Sequence, residues 1–258
     1  MDTEANPPRW TLLSLRPRGQ HAPMRRAARA LGGATIALSP WALRARTDTA
    51  TRTALDAALG ADRVIFSSPA AVVAAARLAR LDVPHPGQWL AVGSGTAAAL
   101  HRAGAHDIQA PARMDSEGLL ALPALAALDG LRAGLVTAPG GRGIIAATLQ
   151  ARGAQLLRAD VYLRQPLPLP ARALQRLRHA ARPWAVAVSS ADALARLLAH
   201  LPDDLQSPLR QACVVAASER LAAQAVAAGF GHVVQAEGPL PAQLVQAAHA
   251  ALTPRATC

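Results

Sequence analysis

Small hydroxylated residues and glycines recur in this sequence directly after short apolar runs and directly before helical stretches. They form five turns: Ser67-Ser68, Gly93-Ser94-Gly95-Thr96, Gly140-Gly141-Arg142-Gly143, Ser189-Ser190 and Ser218. A turn of this kind presents free backbone N–H groups, often with a hydroxyl, at the positive end of a helix, so each is a place where an anion can sit. One such serine taken alone is equally an ordinary helix N-cap. Five together describe a surface suited to a ligand with many carboxylates. Tyr162 stands apart as the only tyrosine in the chain. It opens a proline-bearing stretch, where a phenol either donates a proton to a ligand or packs a hinge. Asp115 and Glu117 flank Ser116 at the start of a further helical stretch; acids there complement the helix dipole or act as a carboxylate pair.

The same residues argue against several other chemistries. Gly140–Gly143 lacks the frame and the lysine of a nucleoside-triphosphate loop, and the chain contains no lysine at all. Gly93-Ser94-Gly95 has Ala98 where a dinucleotide turn would carry its third glycine; that place tolerates alanine, but the only acids about twenty residues on are Asp115 and Glu117, which begin a further helical stretch. No G-x-S-x-G elbow is present to seat a nucleophilic serine. Cys213 and Cys258 are too few for a disulfide framework or a zinc site, and the eight histidines have no metal-ligand spacing. Residues 1–8 hold acids and prolines rather than an apolar signal core, and no long uncharged apolar run follows. A soluble, cytoplasmic protein without membrane contact is expected.

Composition points the same way. The 258 residues carry a formal net charge of +11, and every basic residue other than histidine is arginine. An arginine excess reflects either a GC-rich genome or a polyanionic partner, whose carboxylates or phosphates the planar guanidinium fork suits. The arginines are dispersed and aromatics make up only 3%, which argues against a nucleic-acid-binding surface with stacking platforms.

The elements that must position these turns follow from the apolar runs Leu12–Leu15, Val64–Phe66, Leu90–Val92, Gly134–Thr137, Trp184–Val188 and Cys213–Ala216. Each precedes a small-residue turn and an Ala/Leu/Arg stretch of helical period, which is the pattern of βα units building parallel sheets. The chain also resembles itself at a shift of roughly 122 to 125 residues. Leu12–Pro17 aligns with Leu135–Pro139, Phe66–Ala70 with Val188–Asp192, and Val92–Thr96 with Ala217–Leu221. Proline-bearing stretches at 37–46 and 161–170 read as two linkers. The reading is an α/β protein of two similar parallel-sheet, flavodoxin-like domains joined by a two-stranded linker. A discontinuous domain comprises 1–40 plus 166–258, and the inserted domain comprises 46–160.

In order and spacing the motifs resemble the uroporphyrinogen-III synthase family over nearly the whole chain. They are Leu15-Arg16-Pro17, Phe66-Ser67-Ser68-Pro69-Ala70-Ala71-Val72, Val92-Gly93-Ser94-Gly95-Thr96, Ser116-Glu117-Gly118-Leu119-Leu120, Gly140-Gly141-Arg142 and Val161-Tyr162-Leu163-Arg164. The resemblance implies cyclisation of hydroxymethylbilane to uroporphyrinogen III with inversion of one pyrrole, using no metal and no organic cofactor. No large apolar surface pattern demands a partner, so a monomer is expected, with at most a transient contact with the preceding pathway enzyme. It implies Tyr162 as the residue aiding departure of the hydroxyl. It implies Arg16, Ser67, Ser68, Gly93, Ser94, Gly95, Thr96, Ser116, Gly141, Arg142, Ser189, Ser190 and Ser218 as substrate contacts. The sequence departs from the family pattern at Leu15, where the family has threonine, at Ala70 for asparagine, and at Leu221, which lacks a hydroxyl. The alternative is a relative that binds a tetrapyrrole or another polyacid without turning it over.

Overall fold

The protein is described by a computed structural model covering residues 8–140 and 143–253. The chain divides into two compact units, Met1–Ala42 with Pro166–Cys258, and Leu43–Gln165. The first unit opens with β1 (Trp10–Ser14), α1 (Ala22–Ala30) and β2 (Gly33–Ala37), and β3 (Trp41–Ala45) leads out of it. The second unit continues with α2 (Thr49–Leu59), β4 (Arg63–Phe66), α3 (Pro69–Ala75), β5 (Gln88–Ala91) and α4 (Ser94–Arg102). Next come β6 (Ile108–Gln109), α5 (Ser116–Leu120), β7 (Arg132–Thr137), α6 (Ile144–Ala151) and β8 (Gln155–Asp160). After β9 (Tyr162–Pro166) the first unit resumes with α7 (Ala171–Arg178), β10 (Trp184–Val188), α8 (Ala191–His200) and α9 (Asp203–Arg210). It ends with β11 (Cys213–Ala216), α10 (Glu219–Ala227), β12 (Val233–Gln235) and α11 (Pro241–Leu252).

Each unit contains one five-stranded parallel sheet, ordered β12-β11-β10-β1-β2 in the first and β6-β5-β4-β7-β8 in the second. Numbered along its own chain, the first unit has the flavodoxin order 2-1-3-4-5, and the second has 3-2-1-4-5. These are one arrangement entered at different points, with β10, β11, β12, β1 and β2 standing where β4, β5, β6, β7 and β8 stand. The internal repeat and the compact units are therefore out of phase, because each sheet combines strands from the two halves of the repeat. The paired strands β3 and β9 occupy equivalent places in the repeat and lie within the two proline-bearing stretches. Arg46 N–H donates to Val161 O at 2.9 Å and Leu167 N–H to Pro40 O at 3.0 Å, so the two segments run in opposite directions.

Burial explains which strands the sequence announces. All five residues of β1 and of β10 are buried, as are all four of β11. Helices cover both faces of a parallel sheet, so its central strands read as continuous apolar runs. The edge strands β2, β6, β8 and β12 are half-exposed and polar in part, and no apolar run marks them. Two of the expected runs also overshoot: Leu15 lies beyond β1 and Val92 beyond β5. In the second unit, one core cluster forms around Phe66, Trp89, Leu100 and Val136 and another around Ile65, Leu90, Leu119 and Leu135, as expected for a sheet packed on both sides. No helix among the described residues is long and apolar enough to cross a membrane.

Close packing of α2 on β7 depends on Gly134. A Cβ there would collide with the carbonyl oxygen of Ala58, a backbone atom that cannot rotate away. Gly134→Ala is expected to lower stability by about 2 kcal/mol through overpacking, read as a lower urea midpoint. An unchanged midpoint would show that α2 shifts freely over the sheet.

Candidate active site

In an open α/β sheet the ligand crevice lies at the carboxyl ends of the strands, where consecutive connections depart to opposite sides. In the second unit that point falls between β4 and β7. Ser67 and Ser68 follow β4, and the turn after Thr137 follows β7. A cavity of about 180 Å³ opens there, lined among others by Ser67, Ser68, Ser116, Thr137, Arg158 and Tyr162.

Each of these side chains is held by its local structure. Ser68 caps α3 by accepting the Ala71 N–H at 3.1 Å, and its Oγ lies 3.2 Å from the Tyr162 Oη. Ser67 Oγ donates to Thr137 Oγ1 at 2.7 Å, tying the ends of β4 and β7 together. Tyr162, only 5% exposed, opens β9. Asp115 caps α5 by accepting the Gly118 N–H at 2.7 Å, which sets the helix start at Ser116. It also accepts from Arg113 Nε at 2.6 Å, so Asp115 serves the helix start rather than an acid–base pair. Gly140 and Gly143, with φ of +85° and +67°, take left-handed conformations that glycine adopts without strain. Gly141 and Arg142 lie outside the described residues.

Arginines complete the pocket. Arg158 donates from Nη2 to Ala138 O at 3.2 Å and to Asp160 Oδ1 at 3.0 Å, and Arg164 also lines the cavity. Thr137, Arg158 and Arg164 were not among the expected site residues. For the two arginines the signal is the period-two alternation Arg158, Asp160, Tyr162, Arg164, which sets polar side chains on one side of extended chain, whereas Thr137 ends β7 and carries no such signal. Gly93, Ser94, Gly95 and Thr96 begin α4 after β5, one strand from the crevice, and none of them lines the cavity. Ser94 Oγ donates to Met114 Sδ at 2.9 Å, and Thr96 is buried.

The first unit has its corresponding crevice between β10 and β1. Ser190 caps α8 through the Ala193 N–H at 3.4 Å, and Ser218 caps α10 through the Leu221 N–H at 3.4 Å. Ser189 sits between β10 and its helix. Arg16 follows β1 and donates from Nη2 to Pro239 O at 3.0 Å, while its buried Nε has no partner among the described residues. Burial lowers the Arg16 pKa from its ordinary value. Behind it, His21 is enclosed between two hydroxyls, with Nδ1 2.9 Å from Ser14 Oγ and Nε2 2.7 Å from Ser39 Oγ. Burial, reinforced by Arg25 and Arg16, lowers the His21 pKa from 6.5 to about 4. Among the described residues no group of three or more His, Cys, Asp or Glu could hold a metal ion.

The profile of the family described as uroporphyrinogen-III synthase HemD matches residues 22–246. A uroporphyrinogen-III synthase of Escherichia coli is 33% identical over 188 residues, spanning 70% of this chain and 76% of that protein. Another, from Salmonella typhimurium, is 41% identical over 78 residues, so the match spans about a third of its length (32%). Among solved structures, a mutant uroporphyrinogen III synthase of Thermus thermophilus superposes with a TM-score of 0.59 at 20% identity, covering 94% of this chain and 98% of its own. The uroporphyrinogen-III synthetase of Helicobacter pylori gives 0.59 at 11% identity, with 92% and 96% covered. At these identities the structural likenesses establish the fold.

The enclosed imidazole has a consequence for acid stability. His21 is neutral in the folded chain above pH 4, whereas in the unfolded chain it takes up a proton near pH 6.5. The unfolded state therefore binds the extra proton between these values, and stability falls as pH drops through that window, by about 3 kcal/mol in all. Urea unfolding from pH 7.5 down to 4.5 should show this slope in the wild type and a shallower one in His21→Gln. Equal slopes would remove His21 as the cause.

Proposed function

The chain belongs to the uroporphyrinogen-III synthase family, and from that premise we propose that it closes hydroxymethylbilane to uroporphyrinogen III, with Tyr162 supplying the proton that lets the terminal hydroxyl leave as water. The observation that supports this role is the position of Tyr162. A buried phenol reaches a small cavity at the switch point of a parallel sheet, with arginines and hydroxyls around it. Space of about 180 Å³ equals that of roughly six waters. It suits one substituted pyrrole rather than a whole tetrapyrrole, so the terminal ring is the part that enters.

The chemistry asks little more of the protein. When the C–O bond of the hydroxymethyl group breaks, the phenolic proton passes to the departing oxygen and water leaves. The electron-rich pyrrole stabilises the carbocation that remains as an azafulvenium ion. Attack by the substituted carbon of the last ring, passage through a spiro intermediate and rearrangement give the inverted ring. The proton released as the ring regains aromaticity restores the phenol.

Without such guidance the bilane closes to the symmetric isomer, so holding its geometry is the main catalytic contribution. Arg158 and Arg164 serve the acid arms nearest the reacting ring. Ser67, Ser116, the Gly93–Thr96 backbone, Gly141 and Arg142 serve arms on the same unit. Arg16, Ser189, Ser190 and Ser218 are the carboxylate-binding groups of the first unit. No resident metal or cofactor enters this scheme.

Purified protein given freshly generated hydroxymethylbilane should yield predominantly isomer III, separated from isomer I by chromatography after oxidation. Tyr162→Phe should retain the fold, lose roughly tenfold to a hundredfold in rate and give a rising share of isomer I. Wild-type product that is all isomer I, formed at the rate of the protein-free control, would overturn the enzymatic reading in favour of polyacid binding.

A further inference from the structure

We infer that Ser68 is a positioning residue for Tyr162, bracing the phenol as it gives up its proton, and is not a ligand for a substrate carboxylate. The inference rests on the reading of Tyr162 as the proton donor and assigns Ser68 a different task from that of the neighbouring hydroxyls.

A serine hydroxyl has one proton to donate and two lone pairs to accept with. One lone pair of Ser68 is taken by the Ala71 N–H at 3.1 Å, the bond that starts α3. The remaining contact is with Tyr162 Oη at 3.2 Å, and by geometry alone either oxygen can be the donor. Proton transfer removes the ambiguity. Once the phenolic O–H bond breaks and the proton joins the departing hydroxyl, the phenol oxygen is negative and can only accept. Ser68 must then donate, and a hydrogen bond to a charged oxygen is about twice as strong as one between neutral groups. The contact strengthens as the reaction proceeds, which is the condition for raising kcat without tightening substrate binding. The helix cap favours this arrangement, because rotating the Ser68 side chain away would leave the Ala71 N–H with only its 3.1 Å bond to the Ser68 carbonyl.

Ser67, one residue earlier, has a different partner. Its proton goes to Thr137 Oγ1 at 2.7 Å rather than to the phenol. In the repeat, Ser190 corresponds to Ser68 and caps its helix in the same way, yet Trp41 opens β3 where Tyr162 opens β9. The serine–phenol pair is thus confined to the second unit, although the capping serine is shared by both.

The test uses the full chain in the isomer assay with kcat and KM measured separately for Ser68→Ala, Ser68→Thr, Tyr162→Phe and the Ser68→Ala/Tyr162→Phe double variant. Ser68→Ala is expected to lower kcat by roughly tenfold to a hundredfold with KM unchanged. Ser68→Thr, which keeps hydroxyl and cap, should recover most of the rate. In the Tyr162→Phe background, Ser68→Ala should cost nothing further. If loss of the cap unfolds Ser68→Ala, Ser68→Gly carries the same comparison, since glycine at an N-cap costs only a few tenths of a kcal/mol. A raised KM at constant kcat would make Ser68 a substrate ligand and overturn the inference, as would an undiminished further loss in the double variant. Both results leave the functional reading intact, whereas absence of isomer III from the wild-type reaction removes both.

Discussion

The structure depends on one long-range pairing, the parallel ladder between β1 and β10. Its register runs from Thr11 opposite Trp184 to Ser14 opposite Ala187, and the Thr11 hydroxyl adds a 2.7 Å bond to the carbonyl of Ala181, 170 positions away. This ladder completes the first sheet, buries all five residues of each strand and brings the turn after β1 beside the turn after β10. The second unit achieves the same juxtaposition between β4 and β7 within one continuous stretch of chain. The crevices are alike because the strand order is alike, and they differ only in what the side chains supply. The second has a phenol, hydroxyls and guanidinium groups around a cavity. The first has capping serines and a half-buried arginine whose Nε is left without a partner among the described residues.

The central strands were legible because burial on both faces leaves them no reason to carry polar residues. The runs at Trp184–Val188 and Cys213–Ala216 coincide with β10 and β11. Edge strands such as Gln155–Asp160 have one side in solvent and keep Gln155, Arg158 and Asp160, so composition conceals them. The serine turns could be read individually, since Ser68, Ser190 and Ser218 each cap a helix. Which turns share a crevice could not, because that depends on strand order, and no local pattern encodes order. Hence Gly93–Thr96 stood level with Ser67-Ser68 in the sequence although β5 lies one strand away from the switch point. Thr137 and Arg158 reach the cavity from β7 and β8, whose adjacency is likewise a matter of order.

The His21 cluster shows how the same fold treats a buried polar group that is enclosed by protein hydroxyls. Two serine hydroxyls satisfy both ring nitrogens, and burial together with nearby guanidinium groups holds the ring neutral. Fully satisfied, such a network rigidifies the end of β1 and the start of α1. Arg16 is thereby set on a stiff support, and its position is determined by the hydrogen-bonded turn rather than by an ion pair.

The discontinuous unit also sets a schedule for synthesis. The ribosome delivers β1 and β2 first, but their partner β10 emerges only after the whole second unit, a delay on the order of ten seconds at usual elongation rates. Through that interval the second unit can close on itself, whereas β1 has only β2 beside it and its other, apolar edge awaits β10. The nascent chain is consequently most exposed to misassembly at its beginning, and it is released from that condition only when its last third arrives.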